Sequence, residues 1–593
     1  MTNKRQNKPR FILMLGVLVL LIGFSYFPSL GNQFVDWDDD VMIYNNQTIA
    51  SFSLDNARQW FASSHYGMYH PLVQASYAIE YQLFGLNPFV FHLDNLLLHI
   101  GNSLLVFIFL LLLAGSWPLA FTAALLWGVH PVHVESVAWA TERKDVLFAF
   151  FYLAALICYL RYLQGRGGGL FKVLLAFLLA LLAKPMALSL PFVLLLIDFY
   201  RGRKPVVKLL KEKTLFFLLA LIFGLVSLWA KQSTGGLVVP EPPFSYANIF
   251  VASYRVIFYY LPRTILPFGF NQLYPLGSYV VESLVPLPPV FLAAPALFLL
   301  FFGLFFYFGR KQREVVFGLL FFLLTIAPVI LLMVPGIFAD RYAYLPSLGI
   351  YFIVGWGGVL LFEQYKERRT PLIIGGVILV VFLGGLTWQR CQVWRDTISL
   401  YDEVCLWYPT VPAAFQHRAQ TNIDRREFGK ALDDLNHAIK LNPKFTAAYN
   451  SRGNLYFYTG KTDLALADFM AAVRIAPRDA TSHNNLGYLL TQMEQYPGAL
   501  RHLNEALRLD PRSAEAFHNR GNYWLAIRDY RPAINDYTAA LKLKPTLALT
   551  YFNRSVARYN LGEYRLAYED ALAAQRLGFR LNPNDLRLLL EKT

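Results

Sequence analysis

From Phe11 to Trp388 the chain alternates long apolar runs with short polar joints, and beyond Arg390 those runs give way to shorter amphipathic segments. Stretches long enough to cross a hydrocarbon layer of ~30 Å begin near Phe11, His92, Pro118, Asp145, Leu170, Ala187, Thr214, Val285, Glu314, Tyr342 and Pro371. This pattern predicts about eleven transmembrane helices. The N-terminus is basic (Lys4, Arg5, Lys8, Arg10), and no small-residue cleavage pattern follows Phe27, so the first apolar run reads as a retained span rather than a signal peptide. With that terminus inside, the N-terminus and the loops 161–172, 201–213, 309–313 and 366–369 hold 19 basic residues, and the longer opposite loops hold eight. The asymmetry obeys the positive-inside rule, and an odd number of spans carries everything after Trp388 to the outside. The segment Tyr246 to Phe268, with Arg255, Pro262, Arg263 and Pro267, would reverse the charge pattern if it crossed. It is expected to lie at the interface as an external helix.

The second half carries a period. Pro409, Pro443, Pro477, Pro511 and Pro545 recur every 34 residues, the spacing of tetratricopeptide (TPR) helix pairs. Small residues keep the register: Ala431, Ala465, Ala499, Ala533 and Ala567 in the second helix of each pair, and Gly453, Gly487 and Gly521 in the first, flanked by Ala419 and Ser555. Small side chains at these positions let helices approach closely, so five repeats stack into one core. Residues 580–593, with Leu586 and Leu588 to Leu590, are expected to form a capping helix.

Composition fits the same division. A 56% apolar chain with mean hydropathy +0.38 lies outside the usual soluble range. The net charge of +15 could point to nucleic acid, but 27 of the 54 basic residues precede Arg390, among the apolar runs, so the charge reads as membrane topology. Cys158, Cys391 and Cys405 have neither zinc spacing nor the makings of a disulfide framework. Glycine-rich phosphate loops, G-x-S-x-G and H-E-x-x-H are absent, which removes the usual marks of nucleotide-dependent enzymes and hydrolases.

Candidate chemistry sits in the joints between spans. Asp36-Trp37-Asp38-Asp39-Asp40 follows the first span, and clustered carboxylates beside a bilayer can yield a general base or hold a cation. As loop residues at the membrane surface, Asp38 and Asp39 are expected to make few core contacts. A later joint reads His130-Pro131-Val132-His133-Val134-Glu135 and then Glu142-Arg143-Lys144-Asp145. Histidines three apart share a helix face, which allows either a metal pair or an interfacial hydrogen-bond network anchored by Trp139. Lys184 and Arg341 are isolated charges that either snorkel or, with Arg143, neutralise a lipid-linked phosphate. In the repeats, Asn450, Asn484, Asn485, Asn519 and Asn553 stand on first helices, where side-chain amides can bond an extended peptide or simply cap and solvate the helix.

Several of these stretches together resemble the transmembrane-and-TPR O-mannosyltransferases, members of the GT-C superfamily, and point to a prokaryotic relative. They are FVDWDDDVMIYNN (34–46), YHPLVQASYAIEYQLFGLNPFVFHLDNLLLH (69–99), HPVHVESVAWATERKDVL (130–147), LLAKPMALSLPFVLLLIDFY (181–200) and ADRYAYLPSLG (339–349). The resemblance implies an all-α fold, a polytopic GT-C-type membrane domain followed by a TPR α-solenoid. It implies inverting transfer of mannose or a similar hexose from a polyprenyl or dolichyl phosphate to Ser/Thr hydroxyls of extracytoplasmic proteins. The family's acidic pair falls on Asp38 and Asp39, one of them the general base. Its basic residue after the His-Pro motif falls on Arg143, followed by Asp145, with His130, His133 and Glu135 supporting. Lys184 and Arg341 match positions for the donor phosphate. This chain reads Glu142-Arg143-Lys144 where relatives often have Gly-Arg-x, and His70 stands where they often show Arg. No cofactor is expected, since the lipid-linked sugar is the substrate, and the phosphate needs no metal if Arg143, Lys184 and Arg341 converge on it. The expected partners are that donor, the bilayer and a protein acceptor in the TPR groove, with no nucleic acid.

The expected domains are residues 1–389 (membrane glycosyltransferase), 390–409 (linker), 410–579 (five repeats) and 580–593 (cap). The expected location is a plasma (inner) membrane with periplasmic repeats, or, in a eukaryote, the ER membrane with lumenal repeats. Two other readings are a ligase for lipid-linked glycans and a non-enzymatic membrane scaffold. The ligase is disfavoured because such enzymes rely on arginines and a histidine in a late external loop, whereas here the acids follow the first span. The scaffold predicts indifference to loss of Asp38 and Asp39.

Overall fold

The structure, a computed structural model, describes residues 8–62, 68–166, 169–233, 250, 253–269, 289–332, 339–581 and 592. The chain is all-α and separates into two compact units, Met1–Trp407 and Tyr408–Thr593.

Among the described residues of the first unit, six helices are long and apolar enough to cross a membrane: Phe11–Gly31, Pro88–Ala114, Ala140–Leu163, Arg313–Ile330, Ser347–Gln364 and Lys366–Trp394. A seventh results if Val206–Glu212 and Thr214–Ala230, bent by 55°, form one broken span. The remaining expected spans fall on shorter apolar helices, Trp117–Val129, Gly169–Ala183, Pro185–Tyr200 and Leu292–Tyr307. At 1.5 Å per residue, a helix the length of Trp117–Val129 covers ~20 Å, short of the full hydrocarbon layer. The expected count of eleven therefore rests on helices of unequal reach.

Two glycine contacts mark the helix packing. Gly318 and Gly349 face each other across the helices Arg313–Leu332 and Ser347–Gln364. A Cβ on Gly349 would meet the Gly318 carbonyl oxygen at 2.2 Å, so these backbones touch as only glycine allows. Gly128 likewise lies against Ile22, whose Cδ1 would stand 2.4 Å from an added Cβ. The joints around residues 27–49, 130–142, 184–189 and 339–346 meet one another through hydrogen bonds and ion pairs. There Tyr26 OH donates to the His130 carbonyl (3.2 Å) and Trp127 Nε1 to the Tyr344 carbonyl (3.0 Å).

Residues 390–409, expected as a linker, are largely helical: after Arg369–Cys391 come a short turn, Gln392–Trp394, and the helix Thr397–Trp407. Trp394 stacks on Trp139 (centroids 5.0 Å, interplanar angle 19°), and Leu400 joins the buried core of the first unit. The burial of these apolar side chains explains why the stretch folds onto the unit. Cys391 and Cys405 are buried, and no disulfide joins them. Of the expected external helix Tyr246 to Phe268, Arg255–Tyr260 and Leu261–Ile265 are helical and pack on the 340–351 region, with Tyr259 OH donating to Asp340 (3.1 Å) and Tyr351 OH to the Thr264 carbonyl (2.8 Å). Residues 246–249 and 251–252 lie outside the described residues.

The second unit contains five helix pairs: Pro412–Asp424 with Phe428–Leu441, Thr446–Tyr458 with Thr462–Ile475, Ala480–Gln492 with Tyr496–Leu509, Ala514–Ala526 with Tyr530–Leu543, and Ala548–Asn560 with Tyr564–Arg576. The periodic small residues sit where the helices meet. Ala431, Ala465, Ala499, Ala533 and Ala567 are fully buried, and a Cβ on Gly453, Gly487 or Gly521 would meet Phe469, Leu503 or Tyr537 at 2.6–2.7 Å. Four repeats add an arginine on the first helix that clamps an aspartate sixteen residues later with two parallel bonds: Arg418–Asp434, Arg452–Asp468, Arg520–Asp536 and Arg554–Asp570. In each, the guanidinium also lies over an aromatic ring, Phe415, Tyr449, Phe517 or Tyr551. The third repeat replaces all three positions, with His483, Leu486 and His502. The expected cap at 580–593 falls almost wholly outside the described residues.

Candidate functional site: an ionic cluster at one end of the membrane unit

The acidic joint after the first helix ends in a short π-helical turn, Asp40–Tyr44. Asp39 caps this turn and points inward. Its two oxygens accept the Val35 amide (2.9 Å), the Thr141 amide (3.0 Å) and the Thr141 hydroxyl, and the side chain is fully buried. Burial pushes its carboxyl up to about 7 despite those hydrogen bonds. Asp39 therefore ties the 35–39 joint to the 139–142 joint. The expectation of few core contacts fails for Asp39 because that carboxylate satisfies two backbone amides that would otherwise be buried without partners.

Asp38 differs. Its side chain is half-buried, and its carboxylate has no hydrogen-bond partner among the described residues. Burial raises its pKa, partly opposed by the positive charges of Lys144 and Arg341, which places it beside the ionic cluster of the next joints.

At the centre of that cluster is Glu142, fully buried. Lys144 Nζ lies 3.0 Å and Arg341 Nε 3.2 Å from one oxygen, and Lys184 Nζ lies 3.7 Å from the other. Lys184 also pairs with Asp145, which accepts from Ser136 (3.3 Å), and Arg341 also pairs with Glu135, which accepts the Arg341 amide (2.9 Å). Trp139 forms an aromatic floor, 5.9 Å from Lys144 Nζ and 5.5 Å from the Arg341 guanidinium carbon.

The expected grouping of Arg143 with Lys184 and Arg341 is not what the structure shows. Arg143 is fully buried and turns the other way, pairing with Glu80 (2.6 Å) and Asp94 (3.4 Å) and donating to Asn95 (3.0 Å) and the Phe91 carbonyl (2.8 Å). Tyr77 and Phe91 flank its guanidinium. Neighbours in a helix point ~100° apart, so the residue reaching the cluster is Lys144. Lys144 and Glu142 were not singled out from the sequence. The signal was present as four consecutive charges, Glu142 to Asp145, at the mouth of an apolar run.

The two histidines serve the joint itself. His130 Nδ1 accepts the Val132 amide (3.2 Å), and His133 Nε2 lies 3.5 Å from Ser347 Oγ amid Trp127 and Tyr344. Burial pushes His130 down to about 3 and His133 well below the ordinary value, so both rings are neutral at physiological pH. His70 is buried beside Gln74 (3.4 Å).

In the repeats the five asparagines meet their neighbours. Asn450 donates to Ser482 (2.8 Å), Asn485 to Asn450 (3.4 Å), Asn519 to Asn484 (3.0 Å) and Asn553 to Asn522 (2.9 Å). Each of these bonds joins successive repeats, so these amides help to stitch the array.

Apolar helices, buried ionic joints that meet one another, and a separate array of helix pairs define an all-α polytopic membrane protein with a repeat unit. Residues 445–512 match the tetratricopeptide repeat family. Human protein O-mannosyl-transferase TMTC1 is 26% identical over 74% of this chain and 57% of its own length, and the Caenorhabditis elegans protein O-mannosyl-transferase F38B6.6 is 23% identical over 74% and 64%. Human TMTC4, also named a protein O-mannosyl-transferase, is 28% identical over 56% of this chain and 52% of its own. The chain thus spans between about half and two thirds of the length of these relatives. Over about half to three quarters of its length the chain is thus similar to proteins named protein O-mannosyl-transferases, with a tetratricopeptide repeat match in its second unit.

Proposed function

We propose that this protein is an inverting glycosyltransferase that moves mannose or a similar hexose from a polyprenyl or dolichyl phosphate to Ser/Thr hydroxyls of proteins on the outer face of the membrane. The observation that carries the reading is the Asp38 carboxylate, without a hydrogen-bond partner among the described residues, beside a cluster holding Lys144, Lys184 and Arg341. The acceptor hydroxyl attacks the anomeric carbon, and its proton passes to Asp38 as the new glycosidic bond forms. The bond from that carbon to the phosphate oxygen breaks, and the electron pair stays on the lipid phosphate, whose charge the two lysines and the arginine stabilise. Asp39 holds the loop that presents Asp38. The repeat unit, outside the cytoplasm in this reading, selects the acceptor protein.

The test is transfer in vesicles: full-length protein, polyprenyl-phosphate-mannose and a Ser/Thr peptide, with product followed by mass spectrometry. Glycopeptide with inverted anomeric configuration is expected. Retained configuration, or no transfer from any polyprenyl-phosphate hexose, overturns the reading.

A further inference from the structure

We infer that the Glu142 carboxylate is a displaceable counter-ion, holding the place of the donor phosphate between Lys144, Lys184 and Arg341 until the lipid arrives. The inference rests on the donor reading above and adds a role to a residue which that reading leaves unused.

Three cations from three separate stretches converge on this one side chain: Lys144 at the start of Arg143–Leu163, Lys184 ahead of the turn Pro185–Ser189, and Arg341 in the turn Asp340–Ala343. A buried carboxylate needs far less than this to be neutralised. The three cations do need an anion, because burying them uncompensated is expensive. A phosphate offers the same oxygen geometry to two ammonium groups and a guanidinium.

The charge count leads to the same point. Three cations pair with Glu135, Glu142 and Asp145, and Asp38 stands beside them as a fourth carboxylate, so no cation is left uncompensated before a donor arrives. A polyprenyl phosphodiester adds a negative charge, and one carboxylate must give way. Glu135 is held by the Arg341 backbone amide and Asp145 by the Ser136 hydroxyl. Among the described residues Glu142 has no backbone or hydroxyl donor; its partners are the three cations and the neighbouring Asp145 carboxyl. It is the carboxylate whose departure breaks the fewest bonds. Its departure also releases Lys144, whose one carboxylate contact among the described residues is Glu142.

A permanent strut and a displaceable counter-ion predict opposite signs. The experiment titrates full-length protein in vesicles with fluorescent polyprenyl phosphate, comparing wild type with Glu142→Gln, which keeps the shape and removes the competing charge. Binding is expected to tighten by about tenfold, equivalent to ~1.4 kcal/mol. Glu142→Asp, which keeps the charge on a shorter arm, guards against misfolding of the first variant and is expected to tighten binding by a smaller factor. Unchanged or weaker binding in the folded variants overturns the counter-ion role while leaving the donor reading intact. No binding of polyprenyl phosphate to wild type or variants overturns both.

Discussion

In the repeat unit an arginine meets an aspartate sixteen positions later four times over, with a ring beneath each guanidinium, and Asp570 takes Arg558 as a second cation. In the membrane unit Glu142 is met once, by three cations from unrelated stretches of chain. A one-to-one bidentate pair repeated in register is a packing device, because each copy satisfies itself and leaves nothing over for a ligand. A convergent cluster with more partners than any member needs, beside a carboxylate that has no hydrogen-bond partner among the described residues, has bonding capacity to spare. Arg143 shows that burial alone does not separate the two: it is the most deeply buried cation of its joint, yet its pairing with Glu80 and Asp94 is of the self-satisfied kind.

The largest effect that could break this contrast concerns Arg143. Substitution by Met leaves Glu80 buried without its partner, and removing one member of a buried pair costs ~3–5 kcal/mol. Loss of folded protein is therefore expected in a detergent melt, with Lys144→Met melting near wild type and losing donor affinity instead. If Arg143→Met folds well and loses only donor affinity, Arg143 belongs with the cluster after all.

Next is Asp38→Asn, expected to lower the transfer rate by ~10²-fold or more with the melting temperature unchanged. Because burial raises Asp38, the acid limb of the wild-type rate should lie above the ordinary carboxylate value of ~3.9, with activity falling as pH drops and the base is protonated. An acid limb below that value, or a fully active variant, rules out Asp38 as the base.

A smaller change is expected from Arg452→Ala in one clamp. The pair is largely buried but self-contained, so a loss of about 1–2 kcal/mol or more in repeat-unit stability should leave transfer to a short peptide unaltered. A drop in peptide transfer would give the clamps a role beyond packing.

The smallest effect should come from installing a clamp in the third repeat through His483→Tyr, Leu486→Arg and His502→Asp together. Exchanging buried apolar contact for an ion pair is near neutral, so stability should move by less than ~1–2 kcal/mol. A larger loss would show that the central repeat is specialised beyond its packing.

The repeat architecture could be read from the sequence because a 34-residue period projects directly onto structure: Pro443 and Ala465 occupy the places their spacing assigns. The same period also contained the clamps, in Arg418, Arg452, Arg520 and Arg554, but a charged residue at a fixed interval looks like a solvated face until its partner is seen. The joints of the membrane unit were recognisable as charges in an apolar landscape. Their wiring was not, since the partners of residues 142–145 come from as far as Glu80 and Arg341, and two adjacent residues, Arg143 and Lys144, face different neighbourhoods. Asp38 and Asp39 look interchangeable in sequence and part only when Thr141 and Val35 close on one of them. The asparagines were placed correctly on first helices, but their bonds reach the next repeat, which sequence spacing does not orient.

The exchange of a clamp for Leu486 bears on how the array comes apart. Leu486 sits in an apolar cluster with Phe469, Leu489, Leu490, Leu503 and Tyr523, drawn from three consecutive repeats. A solenoid whose repeats touch only their neighbours loosens where its local couplings are weakest. Salt that screens the clamping arginines acts on the outer repeats and passes over the middle one. Amide exchange should accordingly be slowest at the centre of the array and quicken towards both ends, and salt should steepen that gradient.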